Sequence, residues 1–291
     1  MFKGTYTAIV TPFNKDGSVD YGAFRALIDF QVRSGVDGIV PVGTTGECPT
    51  LSYEEHNRVI DTAIEAARGR ILVIAGTGAN STAEALELTR HAMASGADGT
   101  LQVTPYYNKP SQEGLFRHFS AVADLGLPVV LYNVPTRTAC EIAVDTVARL
   151  SAHPRIVAIK DSPGPAGVDR VSGILSRCRI TVLSGDDSLT LPMMAVGAKG
   201  VVSVASNVAP RAVARMVRAA LDGRQEEARK LHLKLYGLFR DLFIDTNPIP
   251  VKAALAMMGR IEEVYRLPLC PMAAALKDRL RKTLRALKIV D

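Results

Sequence analysis

The chain of 291 residues has little of what marks a metalloprotein, a secreted scaffold or a membrane protein. Its four cysteines, Cys48, Cys140, Cys178 and Cys270, lie far apart and form no CxxC pair, so neither a zinc site nor a disulfide framework is expected. Cys48 follows a glycine-rich turn and reads as a small residue filling a loop. The five histidines include no HExxH arrangement, and no metal is expected. Apolar stretches such as the one leading to Val130 and Leu131 fall far short of the roughly 20 residues of a membrane-spanning helix. The opening MFKGTYTAIVTPF runs from one lysine into a strand-like segment without a long apolar stretch or a small-residue cleavage site, which predicts a cytoplasmic protein. A formal charge of +6 raises nucleic acid as a partner, but the basic residues are scattered and no aromatics interleave them. The excess suits attraction of small anions instead.

What the chain does have is alternation. Short β-branched runs alternate with segments of helical period, the pattern of parallel strands joined by crossover helices. Eight runs qualify: YTAIVTP from Tyr6, GIVPVG from Gly38, LVIAGTG from Leu72, GTLQVTP from Gly99, VVLYNVP from Val129, IVAIKDS from Ile156, ITVLSGD from Ile180 and GVVSVAS from Gly200. Between the first two, Phe24, Leu27, Ile28 and Gln31 recur at helical spacing. A doubly wound sheet would want GxGxxG after its first strand, and TAIVTPFNKDG has none, while GTGANS lacks the third glycine. Eight units predict a (β/α)8 TIM barrel over residues 1–223. Beyond Gly223 the alternation stops, and three helical stretches predict a C-terminal helical domain over residues 224–291.

Chemistry in such a barrel sits at the C-terminal ends of the strands. There the sequence delivers Gly43 to Glu47, Pro105 to Asn108, Tyr132 to Pro135 with Arg137 beyond, then Lys160, Gly185, and Val202 with Ser203. Lys160 is the odd residue in the apolar run IVAIK, and period-two alternation puts it on one face with Ile156 and Ala158. If that face points inward, burial disfavours the ammonium and leaves an amine able to attack a carbonyl. A lone strand-end lysine would otherwise snorkel to solvent. Tyr132 and Tyr107 offer phenols for proton exchange, with Thr44 as a hydroxyl that both donates and accepts. Taken singly, each fits equally a core residue with a satisfied hydroxyl. Thr45 and Gly46 lie in a turn whose N–H groups suit a carboxylate, and Arg137 is a forked partner for a second one.

These residues carry motifs: GTTGE (43–47), AGTGAN (75–80), VTPYYNKPSQEGL (103–115), YNVPTRT (132–138), IKD (159–161), SGDD (184–187) and NPIPVK (247–252). Together they resemble the 4-hydroxy-tetrahydrodipicolinate synthase (dihydrodipicolinate synthase) family of class I pyruvate aldolases, over essentially the whole chain. The resemblance implies that Lys160 forms an imine with pyruvate and that Tyr132, Thr44 and Tyr107 relay protons, Tyr107 reaching into a neighbouring subunit's site. It implies that Thr45 holds the pyruvate carboxylate and Arg137 that of L-aspartate 4-semialdehyde, while backbone atoms of Gly185 and Val202 line the pocket. It also implies a homotetramer built from tight dimers, no cofactor beyond the covalent imine, and a place in lysine biosynthesis through diaminopimelate. Members inhibited by L-lysine bind it through residues matching His56, Asn80, Glu84 and Tyr106, all present here. Nearby, Cys48, Pro49 and Tyr53 depart from the enteric form, which has serine, alanine and histidine. KDSPG after Lys160 departs from the common KEATG and keeps open a retro-aldol lyase of N-acetylneuraminate or 2-keto-3-deoxy-sugar acids. A non-catalytic metabolite-sensing barrel is the remaining alternative.

Overall fold

The eight apolar runs form β1 (Gly4–Ala8), β2 (Gly38–Val40), β3 (Leu72–Gly76), β4 (Gly99–Val103), β5 (Val129–Asn133), β6 (Ile156–Asp161), β7 (Thr181–Ser184) and β8 (Gly200–Ser203). Each pairs parallel with the next and β1 pairs with β8, closing the barrel. The computed structural model describes residues 2–291. At the closing seam Gly200 adopts φ +152°, and a Cβ there would lie 1.9 Å from the Gly4 carbonyl oxygen, so only glycine fits. β1 therefore begins two residues before the run read from Tyr6, and Ile9 to Pro12 leave the sheet at the mouth.

Helices α1 (Tyr21–Ser34), α2 (Tyr53–Ala67), α3 (Thr82–Ala94), α4 (Gln112–Ala123), α5 (Pro135–Thr138), α6 (Val144–Leu150), α7 (Gly167–Leu175), α8 (Thr190–Ala195) and α9 (Pro210–Leu221) cover the strands. In α1 the Asp20 side chain accepts the Ala23 N–H at 2.8 Å, and Gly35 closes the helix in the left-handed region. Its buried stripe is Phe24, Leu27, Ile28 and Gln31. Gln31 is tolerated there because it accepts from Thr7 Oγ1 at 2.8 Å and donates to the Ser206 carbonyl at 3.1 Å.

Inside the barrel every strand contributes to a single apolar plug: Tyr6 and Ala8 from β1, Val130 and Tyr132 from β5, and Val40, Ile74, Leu101, Ala158, Leu183 and Val202 from the others. The interior is thus packed rather than porous, and the site sits above it. Between β5 and β6 the register slips, Val129 facing Ile156 but Val130 facing Ala158. This bulge corrects the simple alternation: Ile156 packs in the outer layer with Ile159, while Ala158 stays inside. Lys160 shares its face with Ala158 and not with Ile156.

After α9 come α10 (Gln225–Asp241), α11 (Ile249–Met257) and α12 (Ala274–Ala286). Leu235 and Phe239 of α10 and Leu280 and Leu284 of α12 share one apolar cluster with Phe13 and Ile28 of the barrel. Arg266 bolts the same region to α2 through Glu55, with both guanidinium-to-carboxylate contacts at 2.6 Å. No helix among the described residues is long and apolar enough to cross a membrane.

Candidate active site

Lys160 and Tyr132 are register partners on β6 and β5. Lys160 is 7% exposed and its Nζ lies 3.9 Å from the centre of the Tyr132 ring. Among the described residues no carboxylate lies within 4.0 Å of that nitrogen. The next residue on each strand points the other way and locks the pair: Asn133 Nδ2 donates to Asp161 at 2.7 Å, and Arg170 Nε donates to the same carboxylate at 3.0 Å. The amine is therefore held in place while staying free of any ion pair.

Above Lys160 opens a cavity of about 270 Å³ whose lining includes Thr44, Thr45, Tyr132, Arg137, Lys160 and Gly185. Thr44 and Thr45 lie in a short 3-10 turn after β2, and Arg137 in α5 directly after β5. A residue from beyond the barrel ties them together: Asn247 Nδ2 donates to Thr45 Oγ1 at 2.9 Å, and its carbonyl accepts from Arg137 at 3.2 Å. Glu47, at the end of GTTGE, is buried against Lys252, at the end of NPIPVK, with Nζ 2.5 Å from the carboxylate. Burial pulls the Lys252 ammonium's pKa down, and the Glu47 charge opposes it. Gly185 is required by close approach, since a Cβ there would fall 1.8 Å from Ser162 Oγ and 3.0 Å from Lys160 Cε.

Two expected residues lie elsewhere. Val202 is in the apolar plug beneath the cavity, and Val204 takes a place on the lining. Tyr107 is 90% exposed at φ +73° and does not line this cavity, so one chain alone does not bring that phenol to Lys160.

A second cavity, of about 500 Å³, includes His56, Glu84 and Tyr106 on its lining, with Cys48, Pro49 and Tyr53 beside them. Asn80 is off the lining and donates instead to the Tyr106 carbonyl at 3.2 Å. His56 Nε2 lies 3.0 Å from the Gly76 carbonyl, and burial lowers the ring's pKa, so its neutral form donates there. Burial pushes the Cys48 thiol up to about 12, which leaves it unreactive at neutral pH. Thr44, Val134 and Arg137 line both cavities.

Sequence reading missed Ser162, Asp186, Phe243 and the tying role of Asn247, all on the first cavity. Ser162 was within reach of the method, because period two from Lys160 puts it on the same face. Asp186 stood in the quoted SGDD without a role; burial raises its carboxyl to about 6 against the opposing charge of Lys160. No group of three His, Cys, Asp or Glu able to hold a metal occurs among the described residues.

A buried, unpaired lysine facing a phenol and two threonine hydroxyls at the C-terminal mouth of a (β/α)8 barrel is the arrangement of a Schiff-base-forming lyase. A sequence profile of the Dihydrodipicolinate synthetase family matches residues 1–287, and the chain belongs to that family. It is 52% identical to a 4-hydroxy-tetrahydrodipicolinate synthase of Geotalea daltonii, covering 100% of both chains. Among solved structures it is similar to the chloride-inhibited dihydrodipicolinate synthase of Acinetobacter baumannii complexed with pyruvate, at TM-score 0.96 and 45% identity over 100% of each chain. It is similar also to the enzyme of Cyanidioschyzon merolae with lysine bound, at TM-score 0.96 and 40% identity over 99% of each chain.

Proposed function

We propose that this protein condenses pyruvate with L-aspartate 4-semialdehyde to 4-hydroxy-tetrahydrodipicolinate through an imine on Lys160. The observation that carries this reading is the unpaired Lys160 amine opening into a small cavity whose walls supply Thr45 and Arg137 for two carboxylates. The Lys160 amine attacks the keto carbon of pyruvate, water leaves to give an iminium, and loss of a methyl proton gives the enamine. The enamine carbon adds to the aldehyde, and the substrate's own amino group then displaces Lys160, closing the ring. Because the lysine is the electron sink, no dissociable cofactor is required. Tyr132 and Thr44 handle protons from within the chain, and Tyr107 of a second copy completes the relay in a homotetramer made of tight dimers. Gly185 lets the substrate approach the backbone, with Val202 as the floor.

L-lysine is the effector assigned to the second cavity, Glu84 taking its ammonium and Tyr106 its carboxylate, with His56 on the wall and Asn80 holding the Tyr106 backbone. The barrel over 1–223 carries the chemistry and the helices over 224–291 brace it, in a cytoplasmic enzyme.

Borohydride reduction with pyruvate is expected to add a stable mass to the peptide holding Lys160, and turnover of pyruvate with the semialdehyde to exceed cleavage of keto-deoxy sugar acids. Labelling elsewhere, or preferred cleavage of sugar acids, overturns this function.

A further inference from the structure

The turn that carries Thr44 and Thr45 is strained at both ends. Val42 sits at φ +49° and Glu47 at φ +54°, and neither is glycine. For a β-branched residue such as Val42 the left-handed region is an outlier, and backbone of this kind persists only where its surroundings over-determine it. The front end is gripped by β3. The Gly76 N–H donates to the Pro41 carbonyl at 3.1 Å, and a Cβ on Gly76 would lie 2.7 Å from the Val42 carbonyl oxygen. In the middle, Thr11 Oγ1 donates to the Gly46 carbonyl at 2.7 Å.

The back end hangs on Glu47, all of whose polar groups are engaged. Its N–H donates to the Thr44 carbonyl at 3.1 Å, and its own carbonyl accepts from Thr50 Oγ1 at 3.0 Å. One carboxylate oxygen takes Lys252 Nζ at 2.5 Å, and the other takes the Arg266 backbone N–H at 3.3 Å. Lys252 is wholly buried in α11, its Nζ 4.1 Å from the Phe13 ring and 5.3 Å from that of Tyr265. Arg266 is fixed in turn by Glu55 and by the carbonyls of Gly17 and Thr50. Neither Glu47 nor Lys252 lines either cavity. A buried ion pair is a poor source of stability, since an apolar pair of similar volume does as well, so this one, directly behind a cavity-lining turn, calls for another role.

We infer that Glu47 is a positioning residue for pyruvate: held by Lys252 and Arg266, it keeps the strained turn in the shape that presents Thr45 to the substrate carboxylate. The inference rests on the reading of Thr45 as the group that receives that carboxylate. Glu47 acts through the turn and touches no substrate. Lys252 both anchors the acid and cancels it, because an ionised Glu47 without a counter-ion would set a second negative charge behind the place where pyruvate docks. Anchoring and cancelling are separable, and anchoring is the part that binding needs.

The test is the pyruvate concentration that gives half-maximal borohydride trapping on Lys160, read beside the plateau rate and the melting temperature. Glu47→Leu combined with Lys252→Met leaves an apolar pair and no buried charge, so the melting temperature is expected to stay near that of the wild type. With the turn unheld, half-saturation is expected to need about 10- to 100-fold more pyruvate, while the plateau falls by no more than about threefold. A pair that only stabilises the fold would lower the plateau, by loss of folded protein, and leave half-saturation alone. A pair that only cancels charge would leave both at wild-type values in the doubly neutral protein. Either result overturns the inference and leaves the Lys160 reading intact, whereas absence of any wild-type trapping overturns both. Should the double variant fail to fold, Glu47→Gln decides, because it keeps the shape and an acceptor oxygen but weakens the hold. Half-saturation is then expected to rise about three- to tenfold, and a wild-type value overturns the inference.

Discussion

Lys252 and Lys160 are both buried, at 0% and 7% exposure, and both stack on aromatic rings, yet their surroundings set them to different work. Lys252 is packed over Phe13 with its charge cancelled by Glu47, and it lines neither of the two cavities. Lys160 has a ring beneath it, no carboxylate in contact, and a cavity in front. Burial alone therefore does not make a lysine a nucleophile. A contact carboxylate turns the same side chain into a structural cation, while the lack of one in contact leaves the side chain open to the cavity.

The most direct way to break this contrast is to remove each lysine in turn. Lys160→Ala is expected to lower condensation by at least about a thousandfold with little change in melting temperature. Lys252→Met leaves Glu47 buried and unpaired, and is expected to cost about 3–5 kcal/mol in denaturant unfolding while trapped pyruvate still appears on Lys160. Label on Lys252 in the wild type would collapse the distinction.

Arg137 sharpens the contrast as a cation on the wall of the first cavity. Arg137→Ala is expected to raise the semialdehyde KM about 10- to 100-fold and to leave the rate of pyruvate trapping unchanged. An equal loss in trapping would place its effect on Lys160 instead.

His118 is a buried base that pairs with no carboxylate among the described residues and lines neither cavity. Its Nδ1 meets Thr82 Oγ1 at 2.9 Å, its Nε2 has no partner, and burial lowers it to about 4. With a folded value below the unfolded one of about 6.5, the ring adds stability that is fully present above pH 6.5 and is lost as pH falls toward 4. The loss at pH 5 is expected to be about 2 kcal/mol, and His118→Gln to flatten that part of the stability profile. An unchanged slope in the variant would show that another group titrates there.

Strand count, order and closure were legible because each strand is a short apolar run bounded by a turn, and α1 was legible down to Gln31. Ile156 was misplaced because a bulge shifts the face by one residue, and nothing local in IVAIK announces it. Six residues singled out from the motifs, Thr44, Thr45, Tyr132, Arg137, Lys160 and Gly185, lie on the first cavity, since strand ends converge by topology. What the chain could not display were pairings across long separations: Glu47 with Lys252, Asn247 with Thr45, Arg266 with Glu55. A sequence shows that a charge is present, and only the fold shows whether it is cancelled. Asp186 and Ser162 fell into that gap, as ordinary polar letters until the fold buries Asp186 Oδ2 and Ser162 Oγ on the cavity without hydrogen-bond partners.

The joint between Glu47 and Lys252 sets a clock on synthesis. The two residues are 205 positions apart, so at ribosomal speed roughly 10–40 s pass between the emergence of one and of the other. Through that interval the turn carrying Thr44 and Thr45 holds an acid whose counter-charge has not yet been translated, and Asn247 is missing with it. The strands of the nascent barrel come out in order, but the pocket's frame can close only once Asn247 and Lys252 have been translated, after all eight strands.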